Sequence, residues 1–230
     1  MSRSSMAAVA AQLPRPEIFG IASCKVGIEF HDFEIGWEEA ERDIAWAQAA
    51  LQTAGLGSDD VALVTVPNWE GPWFNQVLTA LHTFNVTRAL AENYAWDARR
   101  AGHMIRSLKP RAIVGLGAET ISGLVGQGDD IGELLGGTEF VWARHDALGP
   151  LAEAGLAALP LVPLGPALAI GVPGVGAVVN TDEWDVQTVD GQFVVSTAGD
   201  RRARFTDIET GIRGRVGPRV GLGTIVEFDL

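Results

Sequence analysis

Residues 21–34, IASCKVGIEFHDFE, set Ser23, Lys25 and Gly27 within five positions of one another, just ahead of a long helical pattern. A hydroxyl, an ammonium and a glycine are the parts of a loop that holds phosphate. The glycine lets backbone N–H groups converge and the lysine supplies charge. Against this stand Val26 and Ile28, β-branched residues that favour an extended strand. Cys24, next to Lys25, is either a thiol activated by a neighbouring cation or a small core residue.

A second glycine pattern, GLGAETISG (115–123), follows a strand-like run and opens a helix. Gly115 and Gly117 fit a dinucleotide turn, but Thr120 holds the third glycine position and no acid stands at a strand tip further on. The stretch reads as a tight strand-to-helix turn, with Glu119 and the helix N-terminus available to a polar ligand. In VPNWEGPWF, the residues Asn68, Trp69, Glu70 and Trp73 follow a Pro-bounded strand. Ligands of open α/β sheets bind beyond the strands' carboxyl ends, so these four are candidate ligand contacts. The tryptophans are equally suited to packing a helix onto the sheet.

The histidines His31, His82, His103 and His145 form no i, i+4 pair and no cluster with cysteine, so no metal site is expected. His82, His103, Glu119 and His145 remain candidates for acid–base work, with Glu70 as an orienting carboxylate. His145 and Asp146 would make a pair if a strand end placed them in a pocket. A G-x-S-x-G nucleophile turn is absent.

The 230 residues carry a formal charge of -12, with the basic residues scattered. Phosphate neutralisation needs Lys and Arg on one face, so nucleic acid and anionic membranes are not expected partners. Arg201, Arg202 and Arg204 form the one local run, read as a solvated strand face. A single cysteine excludes an internal disulfide and suits a reducing compartment. No segment resembles a signal peptide or the roughly 18 apolar residues of a membrane span, so a cytoplasmic location is expected.

The elements that must position these residues follow from periodicity. Apolar residues at Trp37, Ala40, Ile44, Ala47 and Leu51 predict a helix over 37–53. VALVTV (61–66) predicts a buried strand, Pro72 the first turn of a helix reaching about Phe84, and Thr87 to Leu90 a short strand. A helix stopped by Pro110, a strand in RAIVGLG, a helix over 119–126, a short helix and the strand EFVWAR follow. A helix from about Ala147 ends in the Gly/Pro-rich LPLVPLGP. This alternation predicts an α/β fold: a mostly parallel, Rossmann-like sheet flanked by helices. EWDVQTVDGQFVVST then alternates around Asp190-Gly191, a hairpin turn, and RARFTDIETGIRGRV and GTIVEF continue as strands. The expected organisation is an irregular arm (1–20), an α/β body (21–165) and an antiparallel β subdomain (166–230).

Residues 46–87, from WAQAAL to HTFNVT, with MIRSLKPRAIVGL after them, resemble the adenylate-forming superfamily, closest to its phenylacetate–coenzyme A ligase branch. The hairpin and RARFTDIETGIRGRV resemble that group's later β subdomain, so the likeness runs from about residue 21 to 216. It implies a fold that activates a carboxylate with ATP and Mg²⁺ and passes the acyl group to coenzyme A. The motifs for that chemistry depart from the family pattern. At the place of the hydroxyl- and glycine-rich phosphate loop, only Ser23, Lys25 and Gly27 survive as types. The aromatic-Gly-x-Thr-Glu motif should fall near PLGPAL (163–168), which holds neither acid nor threonine, while GGTEF (136–140) spells part of it one βα unit early. The ribose-holding Thr-Gly-Asp is matched by Thr210, Gly211 and Ile212, and an isoleucine accepts no hydrogen bond. The family's mobile lid with its catalytic lysine would follow GTIVEFDL.

The resemblance thus implies a truncated, degenerate homologue without ATP-binding motifs. It is expected to use no cofactor, ATP/Mg and coenzyme A entering by resemblance only. It would bind a small-molecule carboxylate, an acyl-CoA or another acyl thioester on a carrier, or act as an accessory subunit. A homodimer or a larger ligase partner is the expected assembly. The alternative is an enzyme with repurposed acid–base chemistry in the old acyl pocket.

Overall fold

The computed structural model describes residues 14–230. Most of the expected N-terminal arm therefore lies outside the described residues, and 14–19 carry no helix or strand. The remainder is built on a hairpin and one large sheet. The hairpin pairs β1 (Gly20–Val26) with β2 (Glu29–Ile35) antiparallel, and Gly27 turns it with φ 62°. The stretch read as one extended segment is thus two paired strands, because Gly27 supplies the left-handed φ that a tight turn needs.

The sheet has eleven strands. β3 (Val61–Thr65), β4 (Thr87–Ala91), β5 (Ala112–Leu116), β6 (Phe140–Ala143) and β7 (Leu159–Leu164) are parallel, in the spatial order 4-3-5-6-7. β8 (Ala167–Val172), β9 (Gly176–Val179), β10 (Trp184–Val189), β11 (Gln192–Thr197), β12 (Ile208–Val220) and β13 (Gly223–Phe228) extend it antiparallel, in the order 8-9-13-12-11-10. The expected change from parallel to antiparallel occurs at the β7–β8 turn, Gly165-Pro166, and the sheet is continuous through it. LPLVPLGP, read as the end of a helix, is strand β7 and its turn. Leu161, Val162 and Leu164 are fully buried there, and sheet burial prevails over the local proline content.

Alternate strand residues feed two apolar layers. Ala62, Val64, Val114, Trp142 and Leu161 face α1 (Trp37–Gln52), α2 (Gly71–Thr83) and the hairpin. Leu63, Ile113, Val141, Val162 and Leu164 face α3 (Ala98–Leu108), α4 (Ala118–Gly126), α5 (Ile131–Leu135) and α6 (His145–Glu153). Period-two alternation is what a sheet covered on both faces requires, and each buried Leu, Ile or Val contributes about 1.5–3 kcal/mol. Among the described residues, no helix is long and apolar enough to cross a membrane.

The arginine run departs from expectation. Residues 198–207 form a loop, and Arg201 is buried. Its guanidinium meets Asp43 through two hydrogen bonds of 2.9 and 2.8 Å, Glu183 at 2.9 Å and Glu39 at 3.4 Å, over the face of Trp184 at 4.6 Å. Burial pushes the Asp43 carboxyl above the usual carboxylate range, and Arg201 opposes that rise. A sequence run of like charge hides this outcome, because the acids that receive Arg201 lie on other elements. Arg202 and Arg204 are exposed, as expected.

Candidate functional site

A cavity of about 450 Å³ opens at the carboxyl ends of the parallel strands. Here the chain leaves β3 towards β4 on one side and later leaves β5 towards β6 on the other. Crevices form at such a reversal because the connections diverge. The β3–α2 turn contributes Pro67, Trp69, Glu70 and Trp73, and the end of β4 contributes Asn93 and Tyr94. Glu119 enters from the first turn of α4, and Arg144, His145 and Asp146 from the end of β6. β7 and its turn add Val162, Pro163 and Gly165, and β12 adds Ile212. The hairpin closes the remaining side with Ser23, Cys24, Lys25 and Phe30.

The aromatic wall is held by specific contacts. Phe30 meets Trp69 edge-on at 5.1 Å, and Trp69 donates its indole N–H to the Tyr94 hydroxyl at 3.2 Å. Trp73 is buried and donates to the Pro166 carbonyl at 2.8 Å, tying α2 to the β7–β8 turn. Trp73 thus packs a helix on the sheet and also lines the cavity, and Trp69 lines it. Of Asn68, only the backbone is described, in the 3-10 turn Asn68–Glu70.

The charged groups are arranged in internal pairs. Arg144 grips Glu70 fork to fork, one Nη donating to Oε1 at 2.7 Å and the other to Oε2. That end-on grip leaves the Arg144 Nε buried without a hydrogen-bond partner. Asp146 Oδ1 accepts from the Ala118 N–H at 3.3 Å, so a carboxylate of the chain already caps the open N-terminus of α4. His145 Nε2 lies 3.1 Å from the Asp229 carbonyl oxygen. A carbonyl only accepts, so Nε2 is the donor in this contact, and Nδ1 has no partner among the described residues. Burial pushes the Cys24 thiol up to about 11, leaving it a neutral core group at pH 7 despite its neighbour Lys25.

Of the residues singled out in the sequence, Ser23, Lys25, Trp69, Glu70, Trp73, Glu119, His145 and Ile212 share this cavity. His82 and His103 do not: they are exposed, on α2 and α3. Gly27 sits at the hairpin tip and Gly211 (φ 72°) within β12, outside the lining. The Thr210 hydroxyl is consumed internally, donating to the Phe193 carbonyl at 2.9 Å. Gly115 and Gly117 serve close packing. A Cβ on Gly115 would lie 2.5 Å from the Thr65 carbonyl oxygen, and one on Gly117 would lie 2.3 Å from Asn93 Oδ1. GGTEF lies at the amino end of β6, the far end of that strand from the cavity. Among the described residues, no three His, Cys, Asp or Glu side chains gather as metal ligands. Arg144, Asn93 and Tyr94 escaped sequence reasoning. Arg144 ends EFVWAR, and the strand-end rule that singled out Trp69 applies equally to it.

No protein-family model matches the chain, and no curated protein matches it in sequence. Solved structures do match. A 2-hydroxyisobutyryl-CoA ligase in an open conformation, in complex with 2-HIB-AMP and CoA, gives a TM-score of 0.65 at 13% identity, over 93% of this chain and 56% of that one. An ATP-bound RpMatB-BxBclM chimera gives 0.62 at 12% identity, over 97% and 52%. An o-succinylbenzoate CoA synthetase from Bacillus subtilis gives 0.53 at 11% identity, over 91% and 49%. These likenesses show that the chain has the α/β fold of the acyl-CoA ligases, the fold of adenylate-forming enzymes, and that it spans about half the length of the structures it matches.

Proposed function

We propose that the chain is a degenerate ligase-fold protein, of the phenylacetate–coenzyme A ligase type, that holds a small acyl group without adenylating it. The acyl group would arrive as a carboxylate or as a thioester of coenzyme A or a carrier. The observation that carries this reading is the cavity itself. It has the size of a small-molecule site and aromatic walls, and it stands where the fold binds ligands.

Three features speak against ATP and Mg²⁺ as its cofactors. The segment in the place of a phosphate loop is an extended strand paired along its length with β2, so its backbone does not wrap an anion. Ile212 offers methyl groups to the cavity in place of a ribose acceptor. The β7–β8 turn, Gly165-Pro166, brings no carboxylate for a metal. The charge of -12 accords with a protein that binds neither nucleic acid nor anionic membrane, and the single cysteine with a cytoplasmic location. A second copy or a larger ligase subunit fits the exposed Ile28 and Trp96.

Calorimetric titration with ATP·Mg²⁺ tests the proposal, with no heat of binding expected up to millimolar nucleotide. Micromolar binding would sink it. A second reading, acid–base catalysis, rests on His145 and Glu119 sharing the cavity, with His145 Nε2 held by the Asp229 carbonyl.

A further inference from the structure

The cavity has the parts of two anion sites, and both are filled from within. Arg144 is the most enclosed cation in the wall: both of its Nη groups bond Glu70, and its unpaired Nε is buried away from the open cavity. The N-terminus of α4, where backbone N–H groups would welcome an anion, receives the Asp146 carboxylate at the Ala118 N–H. Among the lining residues, two cations, Lys25 and Arg144, face three carboxylates, Glu70, Glu119 and Asp146. Lys25 is exposed, where solvent screens it and its attraction is small. A second anion brought beside Glu70 and Asp146 would meet like charge and displace neither.

Neutral donors, by contrast, remain open. The Tyr94 hydroxyl accepts from Trp69, and its own O–H meets no acceptor among the described residues. The Asn93 oxygen accepts from the Thr120 hydroxyl at 3.3 Å, while its NH₂ group has no partner among the described residues. Two uncharged donors beside an aromatic wall suit a carbonyl oxygen that bears no full charge.

We infer that this cavity selects the uncharged acyl group, an amide, ester or thioester carbonyl, and rejects the free carboxylate, because Glu70 and Asp146 already occupy its anion sites. The inference rests on the acyl-binding reading and narrows it to acyl groups already condensed, the products of an acyl-activating reaction.

Matched pairs test it: hexanoate against hexanamide, benzoate against benzamide, and phenylacetate against phenylacetamide, titrated while the fluorescence of the cavity tryptophans is followed. The amide of at least one pair is expected to bind, with its carboxylate weaker by roughly tenfold or more. Glu70→Gln frees Arg144, and it should tighten the carboxylate about tenfold while moving the amide by less than about threefold. Asp146→Asn, at the exposed rim, should tighten the carboxylate about threefold, and it carries the test if Glu70→Gln does not fold. Carboxylates binding as tightly as amides to the unaltered chain would overturn the inference and leave the acyl site standing. Failure of both members of every pair at millimolar concentration would overturn the acyl site, and the inference with it.

Discussion

Arg201, in the loop of residues 198–207, turns its guanidinium towards three carboxylates, whereas Arg144 stands in the cavity wall and meets one. Around Arg201 the bonding is dense. Arg42 adds a second cation to Glu183 at 3.1 Å and bonds the Asp200 carbonyl at 2.6 Å, while Glu39 also accepts the Arg202 N–H at 3.1 Å. A buried ion cluster is tolerated when nearly every donor and lone pair finds a partner, and this one fastens the first helix to a loop some 158 positions later. The Arg144 pair is sparser: Nε is buried without a partner, and the residue lines the cavity. Such a pair cancels charge at a site without locking distant elements together. The same two residue types therefore fasten distant elements in one region and cancel charge in a cavity wall in the other.

Substitutions can break this comparison. Arg201→Met leaves Glu39, Asp43 and Glu183 buried with only Arg42 to offset them, and should cost about 3–5 kcal/mol in urea unfolding. A loss below about 1 kcal/mol would show that the cluster fastens nothing.

The cavity region should dominate the alkaline limb. The Cys24 thiol stays protonated up to about 11 in the folded chain but ionises near 9 when unfolded. Its contribution is fully present below pH 9 and is lost as pH rises through 11. Relative to Cys24→Ala, the unaltered chain should lose on the order of 2 kcal/mol between those values. Parallel pH profiles for the two chains would show instead that the thiol ionises freely.

The smallest effect belongs to the site pair. Replacing Arg144 and Glu70 together by Met should change stability by no more than about 1 kcal/mol, since a paired ion couple removed whole leaves no stranded charge. Arg144→Met alone should cost more, about 1–3 kcal/mol, because Glu70 then stays buried unpaired. If the double substitution costs as much as Arg201→Met, the Arg144 pair is a fastening of the same kind.

Elements with strong periodicity were legible without coordinates. The helix expected over 37–53 spans Trp37–Gln52, the strand expected at 61–66 spans Val61–Thr65, and Asp190-Gly191 turns its hairpin with both φ values positive. β7 was not legible, because its prolines speak for a loop and only neighbouring strands on both sides outvote them. The site was half legible. Trp69, Glu70, Trp73, Glu119 and His145 sit at strand ends that the sequence locates, and they do line the cavity. Nothing local announces that Glu70 meets Arg144 from 74 positions away, nor that Arg201 is buried while Arg202 and Arg204 are exposed.

The sequence by itself determined the alternation of strands and helices, the hairpins and the absence of a glycine-rich phosphate loop, since these depend on near neighbours and on backbone preferences. Only the tertiary structure decided which charges cancel. Pairing depends on where the ends of β3 and β6 meet in space and on how much water reaches them, and no spacing along the chain encodes either. Glu70 read in sequence as a candidate ligand contact and an orienting carboxylate. In the folded chain it is the partner of Arg144, and on our inference the group that keeps an anion out.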